Sequence, residues 1–159
     1  MRNLFICLCI ALFASGCEKT ITVTVHDHDE NPLLDSSAKV IVSRVVDGDT
    51  FEFAIESDTI SLRIIGIDAY ETRHGARLDS QAAHAKISVD SALSLGKLAK
   101  QFADSLLSHK EVLIVRDYRN ENFDTYNRLL RHVYYFEGQT TLDFGVLMLN
   151  RHYATVDTL

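Results

Sequence analysis

Lys39-Val40-Ile41-Val42-Ser43-Arg44-Val45-Val46-Asp47-Gly48-Asp49-Thr50-Phe51-Glu52-Phe53-Ala54-Ile55 is the stretch on which the fold turns. Its first eight residues are rich in β-branched side chains, whose stiffness at χ1 suits a pleated strand. Asp47-Gly48 then supplies a turn, and from Thr50 to Ile55 the pattern alternates as on a strand with one buried face. Downstream, Ile60–Ile67 is a third apolar run, reached through a hairpin connection at Glu56-Ser57-Asp58. Leu93, Leu95, Leu98, Ala99, Phe102, Ala103, Leu106 and Leu107 recur at close to helical spacing. Glu111–Val115 and Leu129–Phe136 are two more strand candidates, and Leu142, Val146, Leu147 and Leu149 mark a second helix.

The order is therefore three strands, a helix, two strands and a helix, with no internal repeat. That order predicts an α+β, mainly β fold: a five-stranded OB-type Greek-key barrel with two to three helices. Barrels of this type commonly bind oligonucleotides on one face, an expectation that rests on fold analogy alone. The connection Thr72–Ala92 reads as a long loop carrying Arg73, His74, Arg77, His84 and Lys86, either facing solvent or meeting substrate backbone.

At 159 residues, 47% hydrophobic and 24% charged, the chain is one ordinary globular domain with a tail, not a disordered polymer. Acidic residues outnumber basic ones 22 to 16, for a formal charge of −6. A general nucleic-acid coat protein carries a basic excess, so a polyanion would have to be held here at a local site.

The first residues read as an address. Met1-Arg2-Asn3, the apolar run Leu4–Ala14 and the small residues before Cys17 make a secretory signal too short to span a bilayer. Ala14-Ser15-Gly16-Cys17 resembles the lipobox of bacterial lipoproteins, which implies acylation of Cys17; an ordinary signal cleaved after Gly16 would leave Cys17 as a free thiol. The resulting expectation is a signal peptide over 1–16, a lipid-anchored polar tether over 17–38, and a domain over 39–159. The protein would be an exported, monomeric resident of a bacterial cell envelope, held to a membrane through Cys17. His26, Asp27, His28 and Glu30 could bind a metal, but in charged, Pro-broken sequence they read as a solvated tether. All three cysteines lie at or before Cys17, so the domain must be stable without disulfides.

Three sites place charge where structural economy would not. They are Asp47-Gly48-Asp49-Thr50, the run Arg63-Ile64-Ile65-Gly66-Ile67-Asp68-Ala69-Tyr70-Glu71, and Asp124-Thr125-Tyr126-Asn127-Arg128. A charge inside an apolar strand, as at Arg63, needs a partner or a polar cleft. Asp49, Asp68 and Glu71 would repel one another unless a cation joined them, and calcium prefers such hard oxygen ligands. Arginines beside a metal suit a phosphate, because the planar guanidinium grips two oxygens at once. With a free carboxylate to activate water, the set describes a phosphodiesterase. Taken singly, each piece also reads blandly: Asp-Gly-Asp as a turn, Arg63 and the Asp124–Arg128 pair as structural ion pairs.

These three motifs together resemble the thermonucleases, the micrococcal or staphylococcal type of nuclease, over roughly residues 39–157. The resemblance implies a calcium-dependent nuclease cutting DNA and RNA and leaving 3′-phosphate ends. By motif position it implies Asp49, Asp68 and the Ala69 carbonyl as calcium ligands and Glu71 as general base. Arg63 and Arg128 would be the phosphate and transition-state clamps, with Tyr126 contacting the nucleotide. Tyr70 stands where the family usually has Pro, Asn127 where it has Gly, and Thr125 where a basic residue is common. Asn127 should keep a left-handed turn, which Asn tolerates. A catalytically silent OB-fold lipoprotein that binds nucleic acid or protein is the alternative, and an adhesion or assembly lipoprotein a third. His109, His132 and His152 have no part in the chemistry.

Overall fold

The computed structural model describes residues 36–157; the expected signal peptide, Cys17 and most of the expected tether lie outside them. Eight strands and three helices follow in the order β1 (Ala38–Val45), β2 (Thr50–Ile55), β3 (Asp58–Ile64), β4 (Ile67–Ala69), α1 (Ala76–Ala85), α2 (Val89–Leu107), β5 (Glu111–Val115), β6 (Leu129–Glu137), β7 (Thr140–Asp143), α3 (Phe144–Asn150) and β8 (Ala154–Val156).

Strands β3-β2-β1-β5-β6 lie side by side, all antiparallel, and a parallel pairing of β3 with β6 closes the ring. In that closure Leu62 pairs with Leu129, Arg63 with Leu130 and Ile64 with Arg131. The result is the expected closed five-stranded barrel of the OB type, mainly β, with three helices. β7 extends β6 outside the ring, and β4 pairs with β8 in a separate two-stranded ribbon.

Alternation along β1 sends Ala38, Val40 and Val42 inward; an irregularity between Val42 and Arg44 resets the register so that Val45 is buried too. Phe51, Phe53, Leu62, Ile114, Leu129 and Val133 meet them in the interior. Each buried side chain of this size contributes roughly 1.5–3 kcal/mol. Ala99, Ala103 and Leu107 of α2 and Phe144 and Met148 of α3 pack into the same core.

Two glycines are required by close approach. A Cβ on Gly48 would come within 2.7 Å of the Ala69 Cβ and 2.9 Å of the Ala99 Cβ. A Cβ on Gly96 would fall 2.3 Å from the Glu71 carbonyl oxygen and 2.6 Å from that of Tyr70. Helix α2 thus rests directly on the backbone of the segment that carries Glu71.

The segment 72–92 is not a loop. It folds into α1 and the first residues of α2, which Ser88 caps by accepting the Ser91 N–H at 3.1 Å. Only Leu78 and Ala82 of α1 are buried, a pair one turn apart, so the helix carries no apolar stripe long enough to show as periodicity. They form a satellite cluster with Ala92, against which Tyr70, Ile87, Val89 and Leu93 pack. The third apolar run also divides: Gly66 at φ 82 turns the chain out of β3 into β4. Strands β7 and β8, four and three residues long, are absent from the expected order.

Candidate active site

The turn Asp47–Thr50, the ribbon strand β4 and the end of β3 meet beside the barrel, and Arg63 is where they join. It lies on β3 opposite Thr50 and is buried, 7% exposed. Its Nη1 pairs with Asp49 Oδ1, while its Nη2 lies 3.0 Å from Asp68 Oδ1, 3.1 Å from the Ile67 carbonyl and 3.4 Å from Asp157 Oδ2. One guanidinium therefore serves three carboxylates. Burial alone would lower its pKa, but Asp49 and Asp68 outweigh that and raise it, so the charge is permanent.

Asp49 is the most enclosed acid of the site, 1% exposed. Besides Arg63, its Oδ1 accepts the Thr50 hydroxyl at 3.0 Å and its Oδ2 accepts the Ala69 N–H at 2.6 Å. Burial pushes this carboxyl up to about 7, helped by Asp47 and opposed by Arg63. Asp68 is more open. Burial would raise its pKa, yet hydrogen bonds from Gln81 and Arg63 and the nearby Arg77 charge bring it below the ordinary range.

Glu71 follows at the rim. Its backbone N–H donates to Gln81 Oε1 at 3.0 Å, and its Oε1 pairs with Arg77 Nε at 2.8 Å. A cleft of about 370 Å³ opens beside it, lined by Ser61, Glu71, Arg77, Tyr126 and Arg128. Arg128 is oriented by Asp124, whose Oδ2 receives its Nε at 2.7 Å and whose Oδ1 receives its backbone N–H at 2.8 Å. The Arg128 Nη1 lies 3.4 Å from the Thr50 hydroxyl, which ties the loop to the Asp49 turn. Asn127 takes the left-handed conformation, φ 60, as expected at that position. Tyr126 is 78% exposed, with its ring centre 5.4 Å from the Arg128 guanidinium.

The structure thus gathers Asp49, Arg63, Asp68 and Ala69 into one buried network, and places Glu71, Tyr126 and Arg128 around the adjoining cleft. Arg63 does not line that cleft; it lies in the network beside it. Three participants were not singled out as site residues. Arg77 was noted only as a loop cation of open role, while Gln81 and Asp157 carried no signal. Asp157 reaches Arg63 because β8 pairs with β4, a contact no local spacing announces.

A calcium ion needs hard carboxylate and carbonyl oxygens converging on one point. Asp68 Oδ2 and the Ala69 carbonyl do converge: Gln81 Nε2 lies 3.0 and 2.9 Å from them. Asp49 adjoins them through the Ala69 N–H. Asp68 and the Ala69 carbonyl fit calcium in kind, with the protein's own amide at their meeting point, while both Asp49 oxygens are taken up by Arg63, Thr50 and the Ala69 N–H. Among the described residues, no three His, Cys, Asp or Glu side chains are gathered as a metal cluster.

Comparison with known proteins bears on this arrangement. The family model described as staphylococcal nuclease homologue matches residues 61–158, more than half of the chain. The match takes in Arg63, Asp68, Glu71 and Arg128 and begins after Asp49. A search of curated proteins found no match.

Proposed function

This chain belongs to the staphylococcal nuclease homologue family, a family of hydrolases that act on nucleic acid, and from that premise we propose a calcium-dependent phosphodiesterase that cuts DNA or RNA and leaves 3′-phosphate ends. The observation that carries the reading is the cleft: a candidate base, Glu71, and a candidate phosphate clamp, Arg128, face the same space beside the Asp49–Arg63–Asp68 network.

The proposed division of labour follows from placement. Arg128 grips non-bridging phosphate oxygens, its fork held in line by Asp124. Glu71 takes a proton from the attacking water at its carboxylate. Water adds to phosphorus, the bond to the 5′ oxygen breaks, that oxygen takes up a proton from solvent and leaves as a hydroxyl, and the phosphate stays on the 3′ oxygen. Arg63 acts from the floor, joining Asp49 to Asp68, opposing the upward push of burial on the Asp49 carboxyl and adding positive potential beneath the phosphate. Tyr126 offers an exposed ring on which a base can stack. Asp49, Asp68 and the Ala69 carbonyl would hold calcium, which when bound supplies charge neutralisation for the phosphate.

We further propose that the protein is exported, acylated at Cys17 and attached as a monomer to a membrane. No helix among the described residues is long and apolar enough to cross one.

The test is incubation of the protein with end-labelled single- and double-stranded DNA and RNA, in calcium and in chelator. Calcium-dependent cleavage with 3′-phosphate products is expected. Tight binding without cleavage would instead mark a silent nucleic-acid-binding barrel. Loss of acyl labelling in Cys17→Ser tests the anchor separately.

A further inference from the structure

Arg77 and Gln81 stand four residues apart on α1 and so share one helix face. Between them they engage every candidate oxygen ligand outside the buried Asp49, and the candidate base as well. Gln81 Nε2 bridges Asp68 Oδ2 and the Ala69 carbonyl, and its Oε1 accepts the Glu71 N–H. Arg77 Nη2 lies 2.7 Å from Asp68 Oδ1 while its Nε holds Glu71 Oε1. An amide and a guanidinium from one short helix do here what a divalent cation would do: they neutralise and join the acids.

The helix that presents them is lightly held. Gly75 at its N-terminus provides no side-chain cap, and only Leu78 and Ala82 are buried, in a cluster separate from the barrel core. Segments with few buried apolar contacts open at low cost. The oxygens it covers belong to β4 and the turn after it, which the β8 pairing and Gly96 fix in place.

We propose that α1 is a built-in competitor of the cation: Gln81 and Arg77 close the candidate metal site, and calcium binds by displacing them. The proposal rests on the calcium reading given above. It has two consequences. Calcium affinity is reduced by the fraction of molecules in which α1 has not withdrawn. Because Arg77 bridges Asp68 and Glu71, a cation that takes Asp68 also loosens Arg77 from Glu71, so the base is released only when the metal site fills. Arg77, already lining the cleft, is then available to a phosphate.

The experiment is calorimetric titration of the protein with calcium chloride, alongside thermal unfolding with and without calcium. Gln81→Met removes the amide without changing charge and keeps a good helix former. It should bind calcium about tenfold more tightly, the order expected when hydrogen bonds to a charged group no longer compete. It should also show a larger calcium-induced rise in Tm. Arg77→Lys keeps the charge but loses the fork that spans Asp68 and Glu71, and should tighten binding several-fold; it decides the matter if Gln81→Met does not fold. Unchanged or weaker calcium binding in these variants, while the parent binds calcium and cuts nucleic acid, would overturn the competitor and leave α1 a support for Asp68. Absence of calcium binding in parent and variants alike would overturn the calcium reading and this inference with it.

Discussion

Helices α1 and α2 follow one another in the chain and both touch the candidate site, but they hold it in opposite ways. Helix α2 is 19 residues long, is capped by Ser88, buries Ala92, Gly96, Ala99, Ala103 and Leu107, and reaches Glu71 through main-chain contact at Gly96. Helix α1 is 10 residues long, has no side-chain cap, buries two residues and reaches the same segment through the polar tips of Arg77 and Gln81. Backbone packed on backbone fixes a position; long side chains hydrogen-bonded to acids can let go. A site that must be both placed and accessible has here divided the two tasks between neighbouring helices.

The largest effect on this contrast should come from beneath both helices. Arg63→Ala would leave Asp49 buried beside Asp47 with its ionic partner gone, and should cost about 3–5 kcal/mol in denaturant unfolding together with activity. A variant that keeps its stability would show that the network is peripheral to the fold. Next is Gly96→Ala, where the added methyl meets the Glu71 carbonyl. It should destabilise by about 1–3 kcal/mol, and should lower the cleavage rate more than the stability loss explains, because the candidate base Glu71 is moved. Leu78→Ala sharpens the comparison from the other side. It should leave the global unfolding midpoint nearly unchanged while hydrogen exchange of α1 amides accelerates, since α1 can open without the barrel. If α1 and the barrel instead unfold as one unit, the light tether is refuted. The smallest effect concerns Asp124. Burial opposes ionisation there, but Arg128 holds the carboxyl below its ordinary pKa. Its stabilisation is therefore present above the ordinary aspartate pKa, near 3.9, and is lost as pH falls through the lowered value. Asp124→Asn should flatten that acid limb of the stability curve by lowering stability on its neutral side, and should leave stability below the lowered pKa little changed.

What could be read in advance follows the same division. The barrel strands were legible because Val40, Val42 and Val45, and later Phe51 and Phe53, announce a buried face by their own spacing. The acids and arginines were legible because Asp49, Asp68, Glu71 and Arg128 sit in compact motifs at strand ends. Helix α1 was not, since a buried pair such as Leu78 and Ala82 among charged residues gives no period. The roles of Gln81 and Asp157 were invisible for a different reason: each acts on a residue brought to it by tertiary packing, Gln81 across the α1–β4 contact and Asp157 through the β8 pairing. Local pattern reports what a segment does for its own burial, and says little about which distant atom it will hold.

The parallel closure of the barrel also carries a meaning in time. Leu62 finds Leu129, and Arg63 finds Leu130, only across the whole of the intervening chain, and contacts of such long sequence separation form slowly. A polypeptide emerges from its N-terminus first. The turn with Asp49, the Arg63 strand and Glu71 are all made well before β6, and before the Arg128 loop that precedes it. A nascent chain would thus carry most of its acid groups while lacking the strand that closes the barrel and the arginine that completes the cleft. Cleavage competence would arrive abruptly, with the Arg128 loop and β6, so that the unfinished protein is chemically inert towards the nucleic acid around it.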